Sequence, residues 1–252
     1  MTNTLQLKGK VCLITGASRT LGATIAEHMA THGALVGVNY HHSEAAAQAV
    51  CQAIFNAGGK AIAIQADVTK PDDVKRLIET CEAELGSIDI LVNNVGPYVD
   101  SPFLTMPLAD FDRIMAGNVR ATFVASQQVS SAMKQRGQGH IINIAATDIF
   151  NRSHSVYGLA KAGVVYLTEA LALELAPEVL INAIAPDLIA DNEDMSPEMS
   201  EAAIGGTPLD RLVTRAEVAE MVCMLCTPAF ASMTGQTIVL DGGRSIPRIA
   251  LG

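Results

Sequence analysis

The sequence predicts an α/β fold in three layers: a doubly wound, seven-stranded parallel sheet with helices on both faces. Two observations predict it. Short apolar runs alternate with helix-forming stretches from end to end, an order that favours a parallel sheet with right-handed crossovers. The 252 residues are 49% hydrophobic but only 4% aromatic, with no Trp. Such a core is built from the small aliphatic residues that fill sheets covered by helices. No shift in composition marks a boundary, so residues 1–252 are read as one domain. A domain of this length can bury roughly 70–75% of its unfolded surface without covalent staples.

The elements follow in order. Val11-Cys12-Leu13-Ile14-Thr15 is the first strand, and the pattern turns helical over 21–32. Leu35-Val36-Gly37-Val38-Asn39 is the second, with a helix over 43–57. Ala61-Ile62-Ala63-Ile64-Gln65 is the third, with a helix over 71–85. Strand 88–92 precedes a long helix over 110–135, and strand 140–144 precedes another over 154–176. Strand 180–185, a helix over 215–227 and strand 237–240 complete the set. Brief apolar runs read as buried strands and longer periodic stretches as helices. The two long helices are apolar on more than one side, which predicts burial against a partner subunit. Segment 187–208 breaks the rhythm: it is acidic, contains Met195 and Met199, and carries Gly205-Gly206. Long loops after the carboxyl ends of strands are where such sheets bind ligands. A substrate lid is expected there.

The net charge of −9 and pI near 5.1 argue against a nucleic-acid partner. No apolar run reaches the ~18 residues of a membrane span, and the first ten residues have no apolar signal core. A cytoplasmic location is the default expectation. Five cysteines, an odd number in a long chain, make a disulfide framework unexpected. Cys223-Met224-Leu225-Cys226 is formally a CxxC, but it lies in an apolar helical run with no second pair or nearby His in the sequence, so a metal would lack ligands. A core role is expected for it. The adjacent His41 and His42 lack carboxylate or Cys company, and no metal is expected there either.

The chemistry gathers in two places. Thr15-Gly16-Ala17-Ser18-Arg19-Thr20-Leu21-Gly22 follows the first strand and opens a helix. There, backbone N–H groups and a helix N-terminus can hold a pyrophosphate. Thr20 stands where a glycine is expected, and the backbone fits if its φ is negative. Asn39-Tyr40-His41-His42-Ser43 ends the second strand with no acid for a ribose 2′-hydroxyl. Arg19 with Ser43 suits a 2′-phosphate instead, which predicts NADPH. Asp67 and Val68 follow the third strand beside the adenine, and Asn93 to Gly96 end the fourth beside the central ribose. In the second place, Tyr157 and Lys161 are four residues apart, on one face of a helix. An ammonium beside a phenol lowers the Tyr pKa from about 10 and tunes it for proton transfer.

Together these residues resemble the short-chain dehydrogenase/reductase family. The resemblance covers nearly the whole chain, and rests also on Asn118, Pro186 and Asp241-Gly242-Gly243. It implies a Rossmann-type fold, a homotetramer and a carbonyl reductase acting on a small molecule. Tyr157 would be the general acid as hydride reaches the carbonyl carbon. Lys161 would hold the nicotinamide ribose, and Asn118 a water linking Lys161 to solvent. Pro186 and Ile189 would line the nicotinamide.

Four positions depart from the family. Ala146 stands where a Ser binds the substrate oxygen, with Thr147, Asp148, or Ser153 and Ser155 on a folded-back loop, as replacements. Asp187 follows Pro186 in place of Gly. Asp191 stands where a Thr is expected. Thr20 is the fourth. A pteridine reductase subgroup also lacks the Ser and uses a nearby Asp. Its likeness here rests on Arg19, the His41-His42-Ser43 stretch, Leu171 to Pro177, and Tyr98, which could stack on a planar substrate. A dinucleotide-binding regulator with little catalysis is the alternative of another class.

Overall fold

A computed structural model describes residues 6–99, 101–150, 155–190, 192 and 195–246. Seven strands form one sheet in the order β3-β2-β1-β4-β5-β6-β7, every pair parallel. They are β1 Val11–Ile14, β2 Leu35–Tyr40, β3 Lys60–Gln65, β4 Ile88–Asn93, β5 Gly139–Ile144, β6 Val179–Pro186 and β7 Thr237–Leu240. Each lies within about a residue of its expected place. Helices α1 Thr20–Thr31, α2 Glu44–Asn56 and α3 Pro71–Leu85 also match.

Alternation within each strand makes the three layers. Cys12 and Ile14 face a core closed by Ile25 and Met29 of α1, Val50 and Ile54 of α2, and Val218 and Val222 of α8, Arg215–Leu225. Val11 and Leu13 face the opposite core, closed by Val74 and Leu77 of α3, Val129 and Met133 of α5, Ala121–Arg136, and Ala172 and Leu175 of α6, Val156–Leu175. Fully burying one such aliphatic side chain contributes about 1.5–3 kcal/mol, so a one-residue slip of any strand is strongly opposed.

The structure corrects two helices. The single helix expected over 110–135 is two, α4 Leu108–Met115 and α5 Ala121–Arg136, joined by one π-helical turn at Ala116–Arg120. A residue inserted into the helical ladder lets a side chain leave the regular face, and such turns occur often at functional sites; here it carries Asn118. Within the lid region lies a further helix, α7 Pro197–Gly205, capped by the Ser196 hydroxyl, which accepts from the Met199 N–H at 3.2 Å.

Helix α6, Val156–Leu175, is long and apolar enough to meet the composition of a membrane span, which apolar-run length alone did not register. It nevertheless packs on β6 and buries Lys161 among its apolar residues, as the core helix of a globular domain does. All five cysteines are free.

Candidate active site

The strand order reverses between β1 and β4, and such switch points form a crevice at the carboxyl ends of the strands. The glycine turn is clamped there from both sides. Asn94 Nδ2 donates to the carbonyls of Thr15 (3.0 Å) and Gly16 (3.1 Å), and Gly16 N donates to Asn39 Oδ1 at 3.0 Å. A Cβ on Gly22 would press into the Gly16 carbonyl, so helix and turn close only around a glycine. Ser18 is buried, Leu21 half-buried, and Arg19 and Thr20 are exposed. Helix α1 begins with no side-chain cap and no acid in its first turn, leaving its N–H groups for an anion. Thr20 corrects the expectation of negative φ: it sits at φ 50°, in the left-handed region where a β-branched residue is strained.

The end of β2 carries no carboxylate. His41 is exposed, stacks on His42 at 3.6 Å between centroids and lies 3.9 Å from Asp67. Ser43 precedes α2 without a capping bond from its hydroxyl. Partial burial opposes the charge on Asp67, but hydrogen bonds from the Thr69 hydroxyl and N–H outweigh it and hold its carboxyl below the usual range. Tyr40 and Val68 are buried. Two expected cofactor residues turn their side chains to the protein. Asn39 spends its side chain on Gly16 and on the carbonyls of Tyr40, Ile64 and Ala66. Asn93 donates to Ser126 (3.1 Å) and Asn143 (2.9 Å). Both side chains brace the sheet, so a contact with the cofactor falls to their backbone.

The second cluster stands at the ends of β4, β5 and α6. Ser155 caps α6, accepting from the Gly158 N–H at 3.0 Å. That places Tyr157 and Lys161 on the first turns. Lys161 Nζ donates to the Ile144 carbonyl at 2.7 Å and lies 5.4 Å from the centre of the Tyr157 ring. Asn118 Nδ2 donates to the carbonyls of Pro97 and Ile114, both at 3.0 Å. Its Oδ1 is buried, and has no partner among the described residues. A Cβ on Gly96 would lie 2.7 Å from both that oxygen and Lys161 Nζ. The two polar atoms therefore both close on Gly96, where a side chain would clash with each.

Burial pushes the Tyr157 phenol above its usual value, with Asp148 and Tyr98 adding to the effect. The expected lowering by Lys161 is thus reversed. Burial brings Lys161 down to about 8, opposed by Asp148. Tyr98, 61% exposed, stands edge-on to Tyr157 with centroids 5.1 Å apart.

One of the four departures, Asp187, joins a network with a candidate replacement hydroxyl, Thr147. Thr147 is buried, and its hydroxyl donates to Asp187 Oδ1 at 2.7 Å. Arg244 Nη1 pairs with Asp187 Oδ2 at 3.0 Å. Thr147 therefore commits its proton to Asp187 and does not replace the Ser hydroxyl at Ala146. Asp187 does not adopt a positive φ, so its backbone needs no glycine. Pro186 ends β6, and Ile189 bridges to Val213. Ser153 and Asp191 lie outside the described residues. Sequence reading missed Arg244, 57 residues from Asp187, because no local pattern links them. It also missed that His28 and His32 approach Cys223, correcting the expectation that Cys223 has no nearby His.

A family model described as enoyl-(acyl carrier protein) reductase matches residues 16–245. A 3-oxoacyl-[acyl-carrier-protein] reductase of Synechocystis is 40% identical over 94% of this chain and 97% of its own. A short-chain dehydrogenase/reductase from Serratia marcescens superposes with a TM-score of 0.89 at 33% identity, covering 95% of this chain and 99% of that one. The chain belongs to the short-chain dehydrogenase/reductase family. It is an NAD(P)-dependent oxidoreductase of that family, and its sheet is the Rossmann-type sheet. Another relative in structure, a 7α-hydroxysteroid dehydrogenase complexed with NADH and 7-oxo glycochenodeoxycholic acid, has a TM-score of 0.90 at 34% identity, covering 96% of this chain and 97% of that one.

Proposed function

We propose that this oxidoreductase reduces a carbonyl with NADPH, Tyr157 donating the proton to the substrate oxygen. The observation that carries the reading is the convergence of Tyr157, Lys161 and Asn118 Oδ1 around Gly96. Bound NADPH supplies the electron pair. Gly16, Ser18, Thr20, Leu21 and Gly22 would hold its pyrophosphate on α1, and Arg19, His41 and Ser43 its 2′-phosphate. Asp67 and Val68 would meet the adenine, with Gly96, Pro186, Ile189 and Lys161 at the nicotinamide end. The phenol held above its usual pKa keeps its proton at neutral pH and is ready to act as an acid. A water between Asn118 Oδ1 and Lys161 Nζ would return that proton from solvent. A regulator without turnover has no chemical use for this set.

A 3-oxoacyl thioester is the first substrate class, because relatives at 35–40% identity carry that name. A planar pterin is the second reading: Tyr98 stands edge-on to Tyr157 and Asp148 lies within its electrostatic reach. Segment 187–208 would close over either. We further infer a homotetramer in the cytoplasm. Leu159, Tyr166 and Leu173 recur every seven residues on α6 and are exposed, a stripe that a second subunit would cover.

The test is NADPH consumption with 3-oxoacyl thioesters, simple ketones, quinones and pterins. Tyr157→Phe should lose turnover by roughly 10²–10⁴-fold while binding NADPH as before. Unchanged turnover would remove Tyr157 from the chemistry.

A further inference from the structure

On the sheet face away from Tyr157, α1 and α8 pack closely together. Their contact gathers donors that the reduction does not use. His28 and His32 stand one turn apart at the end of α1, and Glu220 and Cys223 one turn apart on α8. One ligand atom from each of His28, His32 and Cys223 lies within 4.8 Å of the others. Cys223 Sγ is 3.7 Å from His32 Nδ1, and His28 Nε2 is 2.7 Å from Glu220 Oε2. Zinc bonds near 2.0–2.1 Å to nitrogen and 2.3 Å to sulfur put tetrahedral neighbours about 3.3–3.8 Å apart. From separations of up to 4.8 Å, the cluster needs to tighten by about 1.5 Å at most.

We propose that His28, His32 and Cys223, with Glu220 at the solvent edge, bind a divalent borderline-soft cation such as zinc that ties α1 to α8. A thiolate and two imidazoles form a zinc donor set, unsuited to magnesium or calcium, which take oxygen ligands. His32 Nδ1 lies between the His28 carbonyl at 3.0 Å and Cys223 Sγ at 3.7 Å, so the ring turns or gives up its bond to the carbonyl when it ligates. Glu220 Oε2 accepts from His28 Nε2 at 2.7 Å, and a carboxylate behind a ligating imidazole is the usual second support of a metal site. Met29 Sδ, 3.1 Å from Cys223 Sγ, lines the inner side with a soft atom. Cys223 is buried while His28 and His32 are half-exposed, giving an entry path from solvent. Binding expels the Cys223 thiol proton to water. Helix α1 spans twelve residues, about 18 Å at 1.5 Å each, so the cation would sit far from the glycine turn at its other end.

The experiment titrates metal-free full-length protein with Co²⁺ and then Zn²⁺. One equivalent of cobalt should bind with a thiolate-to-cobalt charge-transfer band, zinc should displace it, and zinc should raise Tm. His28→Gln and Cys223→Ala should each abolish the band and weaken zinc binding by roughly 100-fold or more. A double His41→Ala/His42→Ala variant should leave the band unchanged. No thiolate band, or zinc binding equal in wild type and His28→Gln, overturns the proposal. His28 is half-exposed, so His28→Gln decides the matter even if Cys223→Ala does not fold.

Discussion

Replacing Thr20 with Gly is expected to stabilise the protein. Thr20 sits at φ 50°, and the left-handed region costs an L-residue about 1–2 kcal/mol. Glycine removes that cost but loses more chain freedom on folding, about 0.5–1 kcal/mol. The side chain is exposed, and the Thr20 carbonyl, which accepts from the Thr24 hydroxyl at 3.2 Å, survives the change. The net gain is about 0.5–1 kcal/mol, or roughly 1–4 °C in Tm for a chain of this size. Thr20→Ala keeps the Cβ and should gain little. Thermal and urea unfolding without NADPH measure the effect. NADPH titration should show equal or tighter binding for Thr20→Gly, whose backbone can approach the pyrophosphate. A Tm at or below wild type, or equal stabilisation by Thr20→Ala, would refute the reasoning.

Three other outcomes are expected. Lys161 is held at about 8 in the fold against an ordinary 10.5, so the folded state disfavours its charge. That cost is full below about pH 8 and fades as pH rises toward 10.5, on the order of 3 kcal/mol. Urea unfolding of wild type relative to Lys161→Met should therefore show stability rising across that window; a flat difference would rule the shift out. Asp187→Ala should cost about 1–3 kcal/mol in urea unfolding, less than a fully buried pair because Arg244 is 30% exposed; no loss would mean the Thr147–Asp187–Arg244 network holds nothing. Arg19→Glu should weaken NADPH at least about tenfold while sparing NADH, as loss of a charge-assisted bond to the 2′-phosphate requires; equal effects on both would exclude Arg19 as the phosphate partner.

The strands were legible because each is a local apolar run, and central ones such as β1, β5 and β6 are buried on both faces in a parallel sheet. Helix α7 was not, although Ser196 and Pro197 are ordinary helix-start residues; the expectation of a loop covered it. The π turn at Ala116–Arg120 has no local signature, since its sequence continues a helical pattern into α5. Among site residues, the side-chain direction of Asn39 and Asn93 was not legible, for one reason. Their position at strand ends is visible in sequence, but the direction of the side chain depends on what the neighbouring strands offer it.

The sequence by itself determined the places of the seven strands along the chain and the one-turn spacing of Tyr157 and Lys161, because both follow from local backbone periodicity; the order of the strands in the sheet came from the structure. Only the tertiary structure decided how strongly burial acts on that pair. It also turned Asn118 Oδ1 toward Lys161, gave the Thr147 hydroxyl to Asp187, and brought Cys223 to His32 across 191 residues. These depend on the loops and helices that parallel crossovers bring together, and on desolvation, which no run of neighbouring residues encodes.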